Sequence, residues 1–215
     1  MILYDYPKAP NPMRVNLFLY EKKMDIKRKI VDLSKHENLN PSLLKLNPFG
    51  TIPFLYVKGQ LITESVAICK YIDSINPSPH LFGKSAIEKA KVIMYQRKVE
   101  YEGMLPAGEA FRNSSKAFKE RAIAGPIKIT QIPSLVDRGK KRIDIFFNFL
   151  NNTLKKTKYV AGNNFSIADI DAYVTLSFAK WIKIDGTEKR AYVKKWKDNL
   201  EARQAFRKYN NLFSK

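Results

Sequence analysis

Three short stretches of this chain hold residue types and spacings that can do chemistry. The first is Asn47-Pro48-Phe49-Gly50-Thr51-Ile52-Pro53-Phe54-Leu55. A proline that opens a strand cannot donate a ladder hydrogen bond, and Ile52-Pro53 is a candidate cis bond. In that geometry the Ile52 N–H and C=O face outward, free to pair with an extended peptide as an added strand. The second is Glu64-Ser65 at a helix start. Free N–H groups there attract an anion, the Ser65 hydroxyl adds a donor, and Glu64 accepts from an ammonium, so the pair suits an amino-acid head group. An ordinary first-turn residue explains Ser65 equally well. The third is the turn Tyr6–Arg14, which aims another helix N-terminus at whatever lies beyond the first strand.

The elements that must position these groups follow from the apolar pattern. Ile2–Tyr6 reads as a strand stopped by Pro7. Asn11-Pro12 reads as a helix start, with Asn11 as N-cap and Pro12 at the first helical position, and the helix runs to about Lys23. Ile26–Asp32 is a second strand, Pro41–Leu46 a short helix or turn, and Ile52–Val57 a third strand. Lys58-Gly59-Gln60 turns into the short strand Leu61-Ile62, and Ser65–Ile75 is a helix with Val66, Ile68, Cys69 and Ile72 largely inward. The order is β-α-β-α-β-β-α over residues 1–76. Residues 77–84 hold Pro77 and Pro79 and read as a linker. Residues 85–215 read as all-helical: Ser85–Met104 continuing to about Ser115, Pro133–Lys155, Ile167–Lys183 and shorter helices toward Lys208, with a loop at Gly125–Pro133. Ser166-Ile167-Ala168-Asp169 fits a helix-starting capping box, with Phe165 and Ile170 as its hydrophobic staple.

Composition narrows the chemistry. The 215 residues are 45% hydrophobic, enough for a real core. Cys69 is the single cysteine, which excludes an internal disulfide and CxxC motifs and fits a reducing, cytoplasmic setting. Cys69 reads as a buried structural thiol on an apolar helix face. With only His36 and His80, neither a multi-histidine metal site nor a Ser-His-Asp triad is supported, and no metal is expected. The start carries no secretory pattern, and no apolar run reaches the roughly 20 residues of a membrane helix. The formal charge is +19. Residues 1–75 hold 11 Lys/Arg and 7 Asp/Glu, so +15 of the excess lies beyond them. Acids are interspersed and no nucleic-acid recognition motif accompanies the charge, so it reads as a solvated lysine-rich surface rather than a nucleic-acid site.

Together the three signals resemble the glutathione S-transferase family across nearly the whole chain. The residues that carry the resemblance are Asn47–Leu55, Ile62-Thr63-Glu64-Ser65-Val66-Ala67-Ile68 and Phe165–Ile170. The turn Ala9-Pro10-Asn11-Pro12-Met13-Arg14-Val15 is most similar to bacterial and fungal nu-class-like members. The resemblance implies a thioredoxin-like domain followed by an all-helical domain. It also implies a homodimer, and a function in conjugating or reducing small electrophiles with glutathione as co-substrate. Peroxidase or disulfide-reductase side activity belongs to the same expectation.

Residue by residue, the resemblance gives Ile52, before Pro53, the cysteinyl backbone of glutathione, and Glu64 and Ser65 its γ-glutamyl head group. Asn38 falls where the family contacts the glycyl carboxylate, with Lys35 and His36 nearby. Catalysis means turning the bound thiol, whose free pKa is about 8.5, into a thiolate. Related members place Ser where this chain has Ala9, so a serine donor is missing. Asn11 matches the asparagine that nu-class-like proteins present to the sulfur, and Tyr6 is the second candidate. The acceptor is expected between the domains, against Tyr101, Met104, Leu105, Phe111 and Arg112. Because Ala9 lacks a hydroxyl, a non-catalytic glutathione-binding or protein-interaction module is the alternative reading. A basic RNA- or anion-associated domain is a third.

Overall fold

The computed structural model describes residues 1–213. Its first domain is built from β1 (Ile2–Asp5), α1 (Pro10–Glu21), β2 (Lys27–Ile30), α2 (Pro41–Leu46), β3 (Phe54–Val57), β4 (Gln60–Ile62) and α3 (Ser65–Ile75). The strands form one mixed sheet in the order β2-β1-β3-β4. β1 runs parallel to β2, with Leu3 opposite Arg28, and antiparallel to β3, with Leu3 opposite Leu55. The parallel pair needs α1 as its crossover, and the antiparallel β3–β4 pair needs only the turn at Lys58-Gly59.

The second domain holds α4 (Ala86–Val99), α5 (Leu105–Ser114), α6 (Ser134–Leu154), α7 (Ile167–Ala179), α8 (Ala191–Glu201) and α9 (Gln204–Asn210). The expected continuous helix over 85–115 is interrupted by a π-helical turn at Glu100–Met104. Such wide turns inside α-helices re-aim side chains and often mark functional sites. Two short 3₁₀ turns, Leu33–Lys35 and Glu37–Leu39, fill the expected loop before α2.

The start of α1 corrects the sequence reading. The N-cap is Ala9, in extended conformation, and Pro10 rather than Pro12 occupies the first helical position. Proline fits there because its missing N–H would have no partner, and Ala9 O already accepts from Met13 N. Asn11 therefore lies inside the first turn, where its side chain does not cap the helix.

Helix α1 ties the domains together. Pro12 through Leu19 are all buried, packed against α3 on one side and against α7 and α9 on the other. Lys22, at the end of α1, has a buried ammonium donating to Asp73 Oδ1 (2.6 Å), Asn76 O (2.8 Å) and Pro79 O (2.6 Å), which pins the start of the interdomain connection. That connection buries Leu81 and Phe82, and Ile167 N donates to Leu81 O at 2.9 Å. The α7 cap does more than start a helix. Asp169 Oδ2 accepts from Ser166 N, and Oδ1 accepts from Val160 N and Trp196 Nε1 at 2.9 and 3.0 Å, fastening α8 to α7. Burial pushes the Asp169 carboxyl up to about 6, against the pull of these donors.

Candidate functional site

Where the two domains meet, a cleft of about 610 Å³ opens between the α1 start, the Ile52 turn, the π-turn and α5. Asn11, Asn38, Ile52, Met104, Leu105, Phe111 and Arg112 line it. Tyr6, Glu64, Ser65 and Tyr101 stand outside its lining. Tyr101 is half exposed with its ring under Arg97, and Tyr4 is core, stacked on Phe54.

Next to this cleft lies a residue the sequence reading passed over. Arg14 is 2% exposed, in a helix segment otherwise made almost entirely of apolar side chains. Its Nε donates to Asp171 Oδ1 at 2.5 Å and its Nη2 to Glu100 Oε2 at 2.8 Å. Its Nη1 donates to Ser65 Oγ at 2.6 Å and to Asn11 Oδ1 at 3.0 Å. One guanidinium thus joins α1, α3, the π-turn and α7. Gln96 completes the cluster through Asp171 Oδ2 at 2.8 Å. The π-turn sets Glu100 in place, and its Gly103 is required by close approach: a Cβ there would meet Phe146 and Thr175 at 2.9 Å. A lone arginine on a buried helix and a second aspartate, Asp171, beyond the capping Asp169 on the largely apolar α7 are the two signals that could have revealed the cluster.

The cluster also has an electrostatic logic. Burial opposes the Arg14 charge, but the facing Asp171 and Glu100 carboxylates more than offset it and hold its pKa above the ordinary value. Burial pushes the Asp171 carboxyl up to about 6 despite the adjacent Arg14. Since one guanidinium faces two carboxylates, the cluster offers no net positive charge to a neighbouring anion.

What it does offer is orientation. Arginine only donates hydrogen bonds, so the Asn11 amide atom facing Arg14 is its oxygen. The Asn11 NH₂ group is left without a partner among the described residues, on an exposed residue lining the cleft. The α1 start adds little else. Pro10 and Pro12 have no N–H, Ala9 N donates to Tyr6 O and Met13 N to Ala9 O. Of the backbone N–H groups of Ala9–Met13, that of Asn11 is left unshared among the described residues. Two neutral donors, both from Asn11, are therefore presented at the cleft.

The remaining candidates surround the same mouth. The Ile52-Pro53 bond is cis, and neither Ile52 backbone group is hydrogen-bonded among the described residues. Ser65 is buried with its hydroxyl engaged by Arg14, while Glu64 is exposed. Glu64 is held at φ 62°, a conformation that costs a non-glycine residue about 1 kcal/mol or more. Asn38 donates from Nδ2 to Gly50 O at 2.7 Å, which ties its loop to the Ile52 turn. Lys35 is exposed, and His36 lies at the loop surface. Cys69 is fully buried on α3, and burial pushes its thiol well above the usual range.

A mixed four-stranded sheet with a cis-proline before β3, docked on a helical domain across such a cleft, defines a glutathione S-transferase architecture. The chain belongs to that family: residues 1–74 match the glutathione S-transferase N-terminal domain and residues 106–204 the C-terminal domain. It is 31% identical to glutathione S-transferase 2 of Saccharomyces cerevisiae, over 100% of this chain and 91% of that protein. It also resembles the crystal structure of Gtt2 from Saccharomyces cerevisiae, with a TM-score of 0.89 and 30% identity over 97% of this chain and 100% of that one. A class Gtt2 glutathione S-transferase of Vibrio parahaemolyticus superposes with a TM-score of 0.83 and 30% identity, over 98% and 97% of the two chains.

Proposed function

We propose that this chain is a glutathione transferase that ionises the thiol of bound glutathione and delivers it to a small electrophile in the cleft. The observation that carries this reading is the Asn11 amide. Its oxygen is held by Arg14 at 3.0 Å, and its NH₂ and backbone N–H are unshared among the described residues. Hydrogen bonds to the charged form lower a thiol pKa, though neutral donors do so less than a cation would. Thiol activation is therefore modest, and Tyr6, outside the cleft lining, is the weaker candidate. In this reading Ile52, next to Pro53, pairs with the cysteinyl backbone, Glu64 and Ser65 take the γ-glutamyl end, and Asn38 faces the glycyl end. Met104, Leu105 and Phe111 shape the acceptor side. In conjugation the sulfur forms a bond to the electrophilic carbon, the leaving group departs with its electron pair, and the thiol proton passes to solvent.

The test is a thermal shift with millimolar glutathione. A ligand at 100 times its dissociation constant stabilises the folded state by about 2.7 kcal/mol, or about 5–10 °C for a chain of this size. Glu64→Ala combined with Ser65→Ala should remove most of the shift. No shift in the wild type at saturating glutathione would overturn the reading.

The same reading includes a cytoplasmic homodimer with no nucleic-acid partner. Ile87, Met94 and Tyr101, seven residues apart and each at least half exposed, are the surface such a dimer would use. Sedimentation of wild type and Met94→Glu tests it, the variant running as the lighter species. Peroxidase or disulfide-reductase activity is a further part of the reading, tested with cumene hydroperoxide and a glutathione mixed disulfide.

A further inference from the structure

The connection between α5 and α6, residues 115–133, crosses the cleft as a strap. It meets the first domain at Gly125, whose φ is +105° and where a Cβ would come within 2.9 Å of Phe49 O. Arg112, on α5, staples the strap: Nε donates to Ala122 O at 3.3 Å and Nη2 to the carbonyls of Arg121 and Ile123, each at 2.6 Å. Arg121 lies within the strap. Its Nη2 donates to Ala117 O at 3.2 Å, and its Nη1 stands 3.1 Å from His36 Nδ1 of the first domain. The Phe118 ring lies under both guanidiniums, 4.4 Å from Arg112 and 5.5 Å from Arg121.

Neither arginine meets a carboxylate: among the described residues no ion pair includes Arg112 or Arg121. Burial and the Arg121 charge together lower the Arg112 pKa, with no acid acting the other way. Arg112 Nη1 and Arg121 Nε have no partner among the described residues. Two like charges held together at partial burial raise the free energy of the empty protein, and an anion between them offsets this. The neighbouring wall is aromatic. Phe111 packs edge-on against Phe118, Phe178 and Trp181 at 5.3, 5.5 and 5.2 Å, and all four rings line the cleft.

We infer that Arg112 and Arg121 form a carboxylate subsite in the cleft, and that this subsite selects aromatic electrophiles carrying a carboxylate. The inference rests on the transferase reading for its chemistry. The same charge chemistry has a second source, the glycyl carboxylate of glutathione, because Arg121 also approaches the His36 loop. The aromatic wall beside the arginines assigns the acceptor.

The full chain is assayed with glutathione and a matched pair, 4-chloro-3,5-dinitrobenzoate and 4-chloro-3,5-dinitrobenzamide, each corrected for its uncatalysed rate. In both, the C–S bond forms, chloride leaves with the electron pair of the C–Cl bond, and the thiol proton passes to solvent. The wild type is expected to favour the benzoate in kcat/KM. Arg121→Gln should cut that preference about tenfold or more, the size of a lost hydrogen bond to a charged group, and Arg121→Lys should keep most of it. A raised KM for glutathione with both acceptors, at unchanged preference, would place the glycyl carboxylate on the pair and overturn the acceptor assignment. Unchanged preference and unchanged glutathione KM would overturn the subsite itself. Binding of 3,5-dinitrobenzoate against 3,5-dinitrobenzamide, read by quenching of Trp181 fluorescence, tests the subsite without turnover. An inactive protein that still prefers the benzoate ligand would thus sink the transferase reading and spare the subsite.

Discussion

Arg14 Nη1 lies 3.0 Å from Asn11 Oδ1, one turn along α1, and this contact decides which face of the Asn11 amide the cleft receives. A swapped amide would bring two sets of donors together and turn an acceptor toward the cleft. In the proposed reading, the buried arginine thus acts on the thiolate through Asn11.

Asn11→Ala should raise the pKa of bound glutathione by about one unit or more, while glutathione still binds. Ultraviolet titration of the bound thiolate checks this. One pKa unit is about 1.36 kcal/mol, close to the lower end of the roughly 1.5–3 kcal/mol of a hydrogen bond to a charged group. The variant keeps the backbone N–H of residue 11, so part of the effect of this turn should survive. Tyr6→Phe should leave the titration unchanged, and loss of the thiolate there would transfer the role to Tyr6.

Arg14→Met should cost about 3–5 kcal/mol of stability by urea unfolding, because it leaves Asp171 buried without its counter-charge. Adding Asp171→Leu removes the stranded carboxylate. The double variant should be more stable than Arg14→Met alone, yet still fail to orient Asn11.

Asp171 should make stability fall as pH rises from about 4 to 6. Burial raises its folded pKa to about 6, above the ordinary carboxylate value of 3.8. In that window the folded chain holds a proton that the unfolded chain has released, so the unfolded state gains as pH rises. Asp171→Asn should remove up to one proton from this dependence, a change in slope of at most about 1.36 kcal/mol per pH unit. Urea titrations of both proteins from pH 4 to 7 give the difference.

Cys69 should resist thiol reagents in the native protein and react once urea unfolds it. The side chain is fully buried and its thiol is held in the protonated form by burial. Rapid labelling of the folded chain by a chromogenic disulfide would show that α3 opens locally.

The sequence by itself determined what depends on neighbours along the chain. Alternation and turn residues place β1, β3 and α3 close to their observed bounds, and Asn47–Leu55 with Glu64-Ser65 carries the family resemblance of the first domain. Ser166 and Asp169 announce α7 because a helix cap spans only four residues. The start of α1 lies two residues before the one the sequence suggests, since Pro10 and Pro12 both suit a first turn and local chemistry does not rank them. Tertiary structure alone decided the rest. Arg14, Ser65, Glu100 and Asp171 lie on four separate elements, up to 157 residues apart, and only the docking of α1 against α7 brings their charges within hydrogen-bond reach. The sequence marks Arg112 as a cleft candidate but leaves Arg121 as one more cation in a basic chain, until the strap folds over the cleft and sets both on Phe118 with no ion-paired acid among the described residues. Capping and turn preferences act over a few residues and are written locally, whereas burial and the pairing of charges depend on which distant surfaces exclude water together.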